Sequence, residues 1–65
     1  MPMIRVEMMP GRSADQQRDL AKALTDAFVT TAGGKPESVH VVLTEVEPDA
    51  WAVGGEFISD RAPSK

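Results

Sequence analysis

The chain has 65 residues, a formal net charge of −3, no cysteine and a single histidine. These numbers exclude disulfides, a structural zinc site and the basic surface that nucleic-acid binding needs. We expect neither a membrane span nor a secretory signal, because no apolar run approaches the ~20 residues of a span or has the form of a signal-peptide h-region. We therefore expect one soluble, cytoplasmic domain over residues 1–65, with no nucleic-acid or membrane partner.

The small size predicts association between chains. A chain of this length buries only about 60% of its unfolded surface, so its core is marginal without further support. Because disulfides and a structural metal are excluded, oligomerisation is the support that remains. Hydrophobic residues make up 42% of the sequence, which is high for a chain with so little interior. We therefore expect a homo-oligomer.

The first segment, Met3 to Met9, alternates in the manner of a half-buried strand. Ile4, Val6 and Met8 fall on one face, and the residues between them fall on the other. A proline-glycine dipeptide follows at once and predicts a turn, because it cannot continue a strand ladder.

Pro2 directly precedes this strand. A methionine before a small residue is usually removed after synthesis, and its removal would leave Pro2 with a free secondary amine. Apart from His40, no other nitrogen in the sequence suits a base near neutral pH. An amine accepts protons only when uncharged, so desolvation or a neighbouring cation would have to lower its pKa. The alternative is a proline that only begins an edge strand, where a missing N–H costs nothing.

The next segment predicts a helix over residues 14–32. Ser13 and Gln16 have the spacing of a capping box. Gly33 and Gly34 supply a left-handed cap at the other end, and the proline that follows prevents the helix from resuming. The apolar face is expected to contain Leu20, Leu24, Ala27, Phe28 and Thr31.

The rest of the chain predicts a second strand and a hairpin. The segment 39–46 is rich in β-branched residues and almost continuously apolar, which indicates a strand covered on both faces. Strand, helix and strand then form a β-α-β unit with parallel strands and a right-handed crossover. Two short apolar runs surround Gly54 and Gly55, as in a hairpin. The fold class is α/β, of the α+β two-layer type, and residues 61–65 are expected to fray.

Four features, in this order and spacing, resemble the 4-oxalocrotonate tautomerase group of the tautomerase superfamily. They are Pro2 before a strand, Gly11-Arg12-Ser13 before the helix, the strand segment 38–45, and Ala52-Val53-Gly54-Gly55-Glu56 near the end. The resemblance covers nearly the whole chain, from Pro2 to about Ser59. It implies a β-α-β monomer that assembles as a hexamer, a trimer of dimers, with active sites at subunit boundaries. It also implies catalysis without a metal or cofactor.

The resemblance implies roles for three further residues. Arg12 matches an arginine that binds the distal carboxylate of the substrate, and its alternative role is a solvated loop residue. His40 stands where many relatives carry an arginine, and it cannot offer the bidentate fork of a guanidinium. Its alternative role is a packed strand residue. Trp51 matches an aromatic residue, usually phenylalanine, that walls the pocket near the amine, and its alternative role is an interface anchor.

The resemblance, with the residues that match it, implies a cofactor-independent isomerase. Its substrate would be a small unsaturated 2-oxo or 2-hydroxy (enol) carboxylate, with Pro2 as general base and with Arg12, His40 and Trp51 as substrate-binding residues. The histidine makes a dicarboxylate substrate less suited than a monocarboxylate or a bulkier aromatic enol. Two alternatives stay open: a hydratase or dehalogenase on the same scaffold, and a non-catalytic subunit of a mixed oligomer.

Overall fold

A computed structural model describes residues 1–61 and confirms the β-α-β unit and the C-terminal hairpin. Residues 62–65, part of the segment expected to fray, lie outside the described residues. The elements in chain order are β1 (Met3–Met8), α1 (Ala14–Ala32), β2 (His40–Glu45), β3 (Ala52–Val53) and β4 (Glu56–Phe57). Single 3₁₀ turns lie at Pro36–Ser38, Pro48–Ala50 and Ile58–Asp60.

The strands β1 and β2 pair in parallel, as the sequence predicts. Met3 lies opposite His40, and Met8 lies opposite Glu45. The strands are slightly shorter than the predicted segments, because β1 ends one residue early and β2 loses one residue at each end. The helix α1 makes the crossover between them.

Two backbone hydrogen bonds mark the ends of this sheet. At one end, which we call the amino end, the His40 N–H donates to the Pro2 carbonyl over 2.9 Å. At the other, the carboxyl end, the Val46 N–H donates to the Met8 carbonyl over 2.8 Å. Six residues at ~3.3 Å each separate the two ends by about 20 Å.

The helix α1 begins and ends where the sequence predicts. The Ser13 Oγ accepts a hydrogen bond from the Gln16 N–H (3.1 Å), and the Ser13 N–H donates to Gln16 Oε1 (2.9 Å). At the other end the Gly33 N–H donates to the Val29 carbonyl (3.0 Å). Gly33 has φ 86° and ψ −179°, so its φ is positive but its conformation is not the left-handed helical cap that we expected. Within residues 1–61, no helix combines the length and apolar character needed to cross a membrane.

The predicted apolar face of α1 is partly wrong. Ala27 and Thr31 are exposed, whereas Gln17 and Thr25 are half-buried. The half-buried face consists of Gln17, Leu20, Ala21, Leu24, Thr25, Phe28 and Val29. The packed face includes Gln17 because its side chain reaches Glu45 at the carboxyl end of β2.

The helix covers only one face of the sheet. The other face, which we call the open face, presents Met3, Arg5, Glu7, His40, Val42 and Thr44, all exposed. Two of these are large apolar side chains, with Met3 51% and Val42 37% exposed. The expectation that β2 is covered on both faces is therefore not met within one chain.

A single chain encloses almost no core. Met8 is the only buried hydrophobic residue among residues 1–61. The accessible surface is 4917 Å², against about 4,000 Å² for a compact monomer of this mass. The radius of gyration is 15.2 Å, against about 11 Å for a compact domain of this length. Most of the larger apolar side chains are thus only half-buried in the isolated chain, and five of them are exposed among residues 1–61.

The hairpin follows the turn chemistry of its two glycines. Gly54 and Gly55 have φ values of 62° and 87°, and a type I′ turn needs positive φ at both central residues. Val53, before the turn, and Phe57, after it, are 52% and 43% exposed. The hairpin therefore projects apolar side chains that this chain does not cover.

Candidate active site

The four predicted site residues fall into two pairs at opposite ends of the sheet. Pro2 and His40 lie at the amino end, where their backbones are hydrogen-bonded. Arg12 and Trp51 lie at the carboxyl end, beyond the last residues of β1 and β2. One chain thus brings the members of each pair to the same end of the sheet and keeps the two pairs apart.

Pro2 is fixed at the start of β1. It is half-buried, and its carbonyl accepts the first hydrogen bond of the parallel ladder. Because a proline has no N–H to donate, its place just before the strand leaves no ladder bond unmade. The His40 side chain is exposed on the open face, where a second molecule can reach it.

Arg12 is held in the loop between β1 and α1 by one side-chain hydrogen bond. Its Nη1 donates to the Met9 carbonyl over 3.2 Å. A guanidinium has five N–H donors, and this bond orients the group while using only one of them. Arg12 is exposed, so the remaining donors are available to a carboxylate.

Gln17 is a residue whose role in this region the sequence analysis missed. Its Nε2 donates to the Arg12 carbonyl (3.3 Å) and to Glu45 Oε2 (3.0 Å). The Gln17 side chain thereby connects the loop that carries Arg12 to the carboxyl end of β2. The capping box predicts where α1 begins, but the contact between Gln17 and Glu45 depends on how α1 packs against the paired strands and is seen only in the folded chain.

Trp51 lines an open groove at the carboxyl end. The groove has a volume of about 300 Å³ and is lined by Glu7, Val46, Ala50, Trp51 and Ala52. Trp51 is half-buried, and its carbonyl accepts a hydrogen bond from the Ile58 N–H (2.8 Å), which holds it to the hairpin. Glu7 lies in β1 and Val46 directly follows β2, so the groove lies against the carboxyl end of the sheet.

The distance between the pairs decides what one chain can do alone. Glu7 lines the Trp51 groove, and five strand residues at ~3.3 Å place it about 16 Å from Pro2. A small carboxylate cannot contact Pro2 and this groove of the same chain at once. Among residues 1–61, no three His, Cys, Asp or Glu side chains are grouped to hold a metal ion.

Comparisons with known proteins identify the family. The sequence profile of the tautomerase enzyme family matches residues 2–61. A probable tautomerase of Halalkalibacterium halodurans is 41% identical over 61 residues, which cover 94% of this chain and all of that protein. The chain therefore belongs to the tautomerase family.

Solved structures of 4-oxalocrotonate tautomerase homologues share this fold. A homologue in the tomaymycin biosynthetic pathway superposes with a TM-score of 0.86 at 40% identity, covering 92% of each chain. A heterohexamer 4-oxalocrotonate tautomerase from Chloroflexus aurantiacus superposes with a TM-score of 0.83 at 33% identity, covering 92% of this chain and 97% of that one. The resemblance noted in the sequence is thus confirmed at the level of family and fold.

Proposed function

We propose that this protein is a tautomerase of small unsaturated 2-oxo or 2-hydroxy acids that uses Pro2 as its general base after removal of Met1. The observation that carries the proposal is the position of Pro2, half-buried and hydrogen-bonded at the start of the parallel ladder. The match to the family also begins at Pro2. The whole chain, residues 1–65 before Met1 is removed, forms a single domain in this proposal.

The proposed reaction moves one proton. The uncharged amine of Pro2 takes a proton from the enol hydroxyl or from an activated carbon of the substrate, and the resulting ammonium returns it to another carbon. No oxidant or reductant is needed, because the substrate and product are isomers. The base is regenerated at the end of each turnover.

Each of the other predicted residues is proposed to contact a different part of the substrate or of the site. Arg12 grips a carboxylate with the N–H groups that its bond to Met9 leaves available. His40 donates a hydrogen bond to the oxygen that gains negative charge. Trp51 forms an apolar wall, which disfavours the charged ammonium and so lowers the pKa of the Pro2 amine.

The site proposed here is assembled from more than one chain. Pro2 lies at the amino end of the sheet, whereas Arg12 and Trp51 lie at the carboxyl end. We therefore place the Pro2 of one subunit against the carboxyl end of another, in a homo-hexamer built as a trimer of dimers. The nearly coreless chain and its exposed open face support association, and a relative is described as a heterohexamer.

A second candidate is a non-catalytic subunit of a mixed oligomer. His40 in place of the expected arginine favours it, and so does the heterohexamer formed by a 33% identical relative. The two candidates predict different amino termini: the tautomerase requires removal of Met1, whereas the non-catalytic subunit does not. Retention of Met1 blocks the Pro2 amine, so a subunit that keeps Met1 cannot use this base.

Two measurements on the purified protein test the proposal. The intact mass is expected to be lower than that of the full chain by one methionine. A screen of 2-hydroxydienoates and aromatic enols such as phenylenolpyruvate is then expected to show ketonisation above the uncatalysed rate. A retained Met1 together with an inactive homo-oligomer contradicts the proposal and favours the mixed oligomer. Hydration or dehalogenation without ketonisation favours the related activities on this scaffold.

A further inference from the structure

The groove beside Trp51 carries one charged side chain, Glu7, that neither the sequence analysis nor the proposed mechanism uses. Its other lining residues are Val46, Ala50 and Ala52, which are small and apolar. The side chains that a ligand meets in this groove are therefore an indole, alkyl groups and a single carboxylate, while polar atoms make up more of the lining surface than apolar ones. That combination accepts an aromatic or aliphatic group and opposes a second negative charge.

Glu7 is not neutralised by a neighbour in the described part of the chain. No lysine, arginine or histidine nitrogen among residues 1–61 forms an ion pair with it within 4.0 Å, in contrast to the pairs formed by Arg18 and Lys22 on the helix. The nearest cation along its strand face is Arg5, two residues away, and Arg5 does not line the groove. Within residues 1–61 of one chain, no ion pair therefore offsets the carboxylate that Glu7 presents to the groove.

We propose that Glu7 is a specificity-determining residue, which makes the Trp51 groove a subsite for the uncharged, aromatic or aliphatic end of a monocarboxylate and excludes a dicarboxylate. Arg12 lies at the same end of the sheet as the groove, so the ligand carboxylate is held by the arginine while its other end enters the groove. The inference rests on the proposed function for the role of Arg12. It concerns binding, however, and does not depend on Pro2 acting as a base.

The size and chemistry of the groove agree with such a ligand. Its volume of about 300 Å³ lies at the lower end of the range for small-molecule pockets. The planar indole of Trp51 favours an aromatic partner, because aromatic rings attract each other beyond their area of contact. A second carboxylate in the same place lies near Glu7 with no cation lining the groove to offset the repulsion.

The fluorescence of Trp51 can report ligand binding in the groove, because Trp51 is the only tryptophan of the chain. The fluorescence of the intact protein, excited selectively at the indole, is titrated with 3-phenylpropionate and with adipate. The first is an aromatic monocarboxylate and the second an aliphatic dicarboxylate of similar length. The same titrations are made with Glu7→Gln, which keeps the shape and removes the charge, and with Glu7→Ala as a second neutral variant.

The matched control is Asp19→Asn, which removes one negative charge from an exposed position of α1 away from the groove. Wild type and control are expected to bind 3-phenylpropionate more tightly than adipate. Glu7→Gln is expected to tighten adipate binding by about three- to fiftyfold. The lower limit is the repulsion between two like charges ~7 Å apart in bulk water, and the upper limit is the same repulsion with the weaker screening near a protein surface. Its affinity for 3-phenylpropionate is expected to stay within about twofold, because that ligand brings no second charge.

Two results overturn the inference. One is an unchanged affinity ratio in both neutral variants, and the other is the absence of any change in Trp51 emission with either ligand. Both can be told apart from a failure of the proposed function. If the titration shows the expected effect of Glu7 on adipate binding while no enol acid is turned over, the groove is a binding site and the tautomerase proposal fails. If enol acids are turned over but the neutral variants bind both ligands as the wild type does, the protein is a tautomerase whose selectivity does not come from Glu7.

Discussion

Pro2 and Trp51 lie at opposite ends of the same two-stranded sheet. The Pro2 carbonyl accepts the hydrogen bond that starts the ladder, and Trp51 lines a groove with Glu7 near its other end, about 16 Å away. An aromatic wall next to the amine therefore has to come from another subunit. The proposed active site therefore forms only when the subunits assemble.

The first prediction concerns the base. Pro2→Ala is expected to lower kcat/KM for an enol acid by about 10²- to 10⁴-fold, the usual contribution of a positioned general base. A residual rate should remain, because the variant still carries a primary amine at its terminus. Sedimentation velocity provides the control, since the variant should assemble like the wild type. Unchanged kinetics would remove Pro2 from the mechanism.

The second prediction concerns His40. Replacing it with arginine is expected to improve turnover of a dicarboxylate relative to a monocarboxylate by about ten- to a hundredfold, because a bidentate contact to a charged group is worth roughly 1.5–3 kcal/mol. The side chain is exposed on the open face of the isolated chain, so no residue of its own chain obstructs the longer arginine. Steady-state kinetics on one substrate of each kind measures the ratio. An unchanged ratio places His40 outside the substrate site.

The third prediction concerns Gln17, which joins the Arg12 loop to Glu45. Gln17→Ala is expected to raise KM for carboxylate substrates several-fold with a smaller effect on kcat, because Arg12 loses its backbone support. Gln16→Ala is the matched control. It removes the partner of Ser13 in the capping box and is expected to cost about 1 kcal/mol of stability, with little change in KM. Equal KM values for the two variants would contradict a positioning role for Gln17.

The bounds of α1 and the position of the hairpin turn could be read from the sequence because local chemistry decides them, whereas β1 and β2 are slightly shorter than predicted. The Ser13–Gln16 box begins α1, and Gly54-Gly55 makes the hairpin turn. The face of α1 that packs on the sheet was harder to predict, since it depends on the strand register. Gln17 is half-buried because Glu45 on β2 lies within reach of its side chain, and hydrophobic spacing carries no information about such a contact.

The candidate site could be predicted only as a list of residues. Pro2, Arg12 and Trp51 were each identifiable by resemblance, but their separation along the sheet appears only once the two strands are paired. Glu7 was missed for a different reason. In the sequence it is a polar residue of an alternating strand, and its place in the groove depends on Val46 and on the turn before Trp51.

The fourth prediction concerns assembly through the open face. Val42→Glu places a charge on that face and is expected to dissociate the oligomer and to unfold the chain, because a buried unpaired charge costs several kcal/mol and one chain has almost no core. Ala23→Glu adds the same charge at an exposed position of α1 and should assemble normally. Analytical ultracentrifugation with circular dichroism distinguishes the two. Wild-type sedimentation of Val42→Glu would show that the open face is not an interface.

The most direct test of the central claim is a subunit-mixing experiment. Pro2→Ala and Arg12→Ala are each expected to be nearly inactive, and the two proteins are unfolded together in equal amounts and refolded. If Pro2 and Arg12 reach one site from different subunits, about a quarter of the sites regain both native residues, and activity should recover to about that fraction of the wild type. Activity that stays at the level of the separate variants would show that each site belongs to one chain, and it would contradict the composite active site.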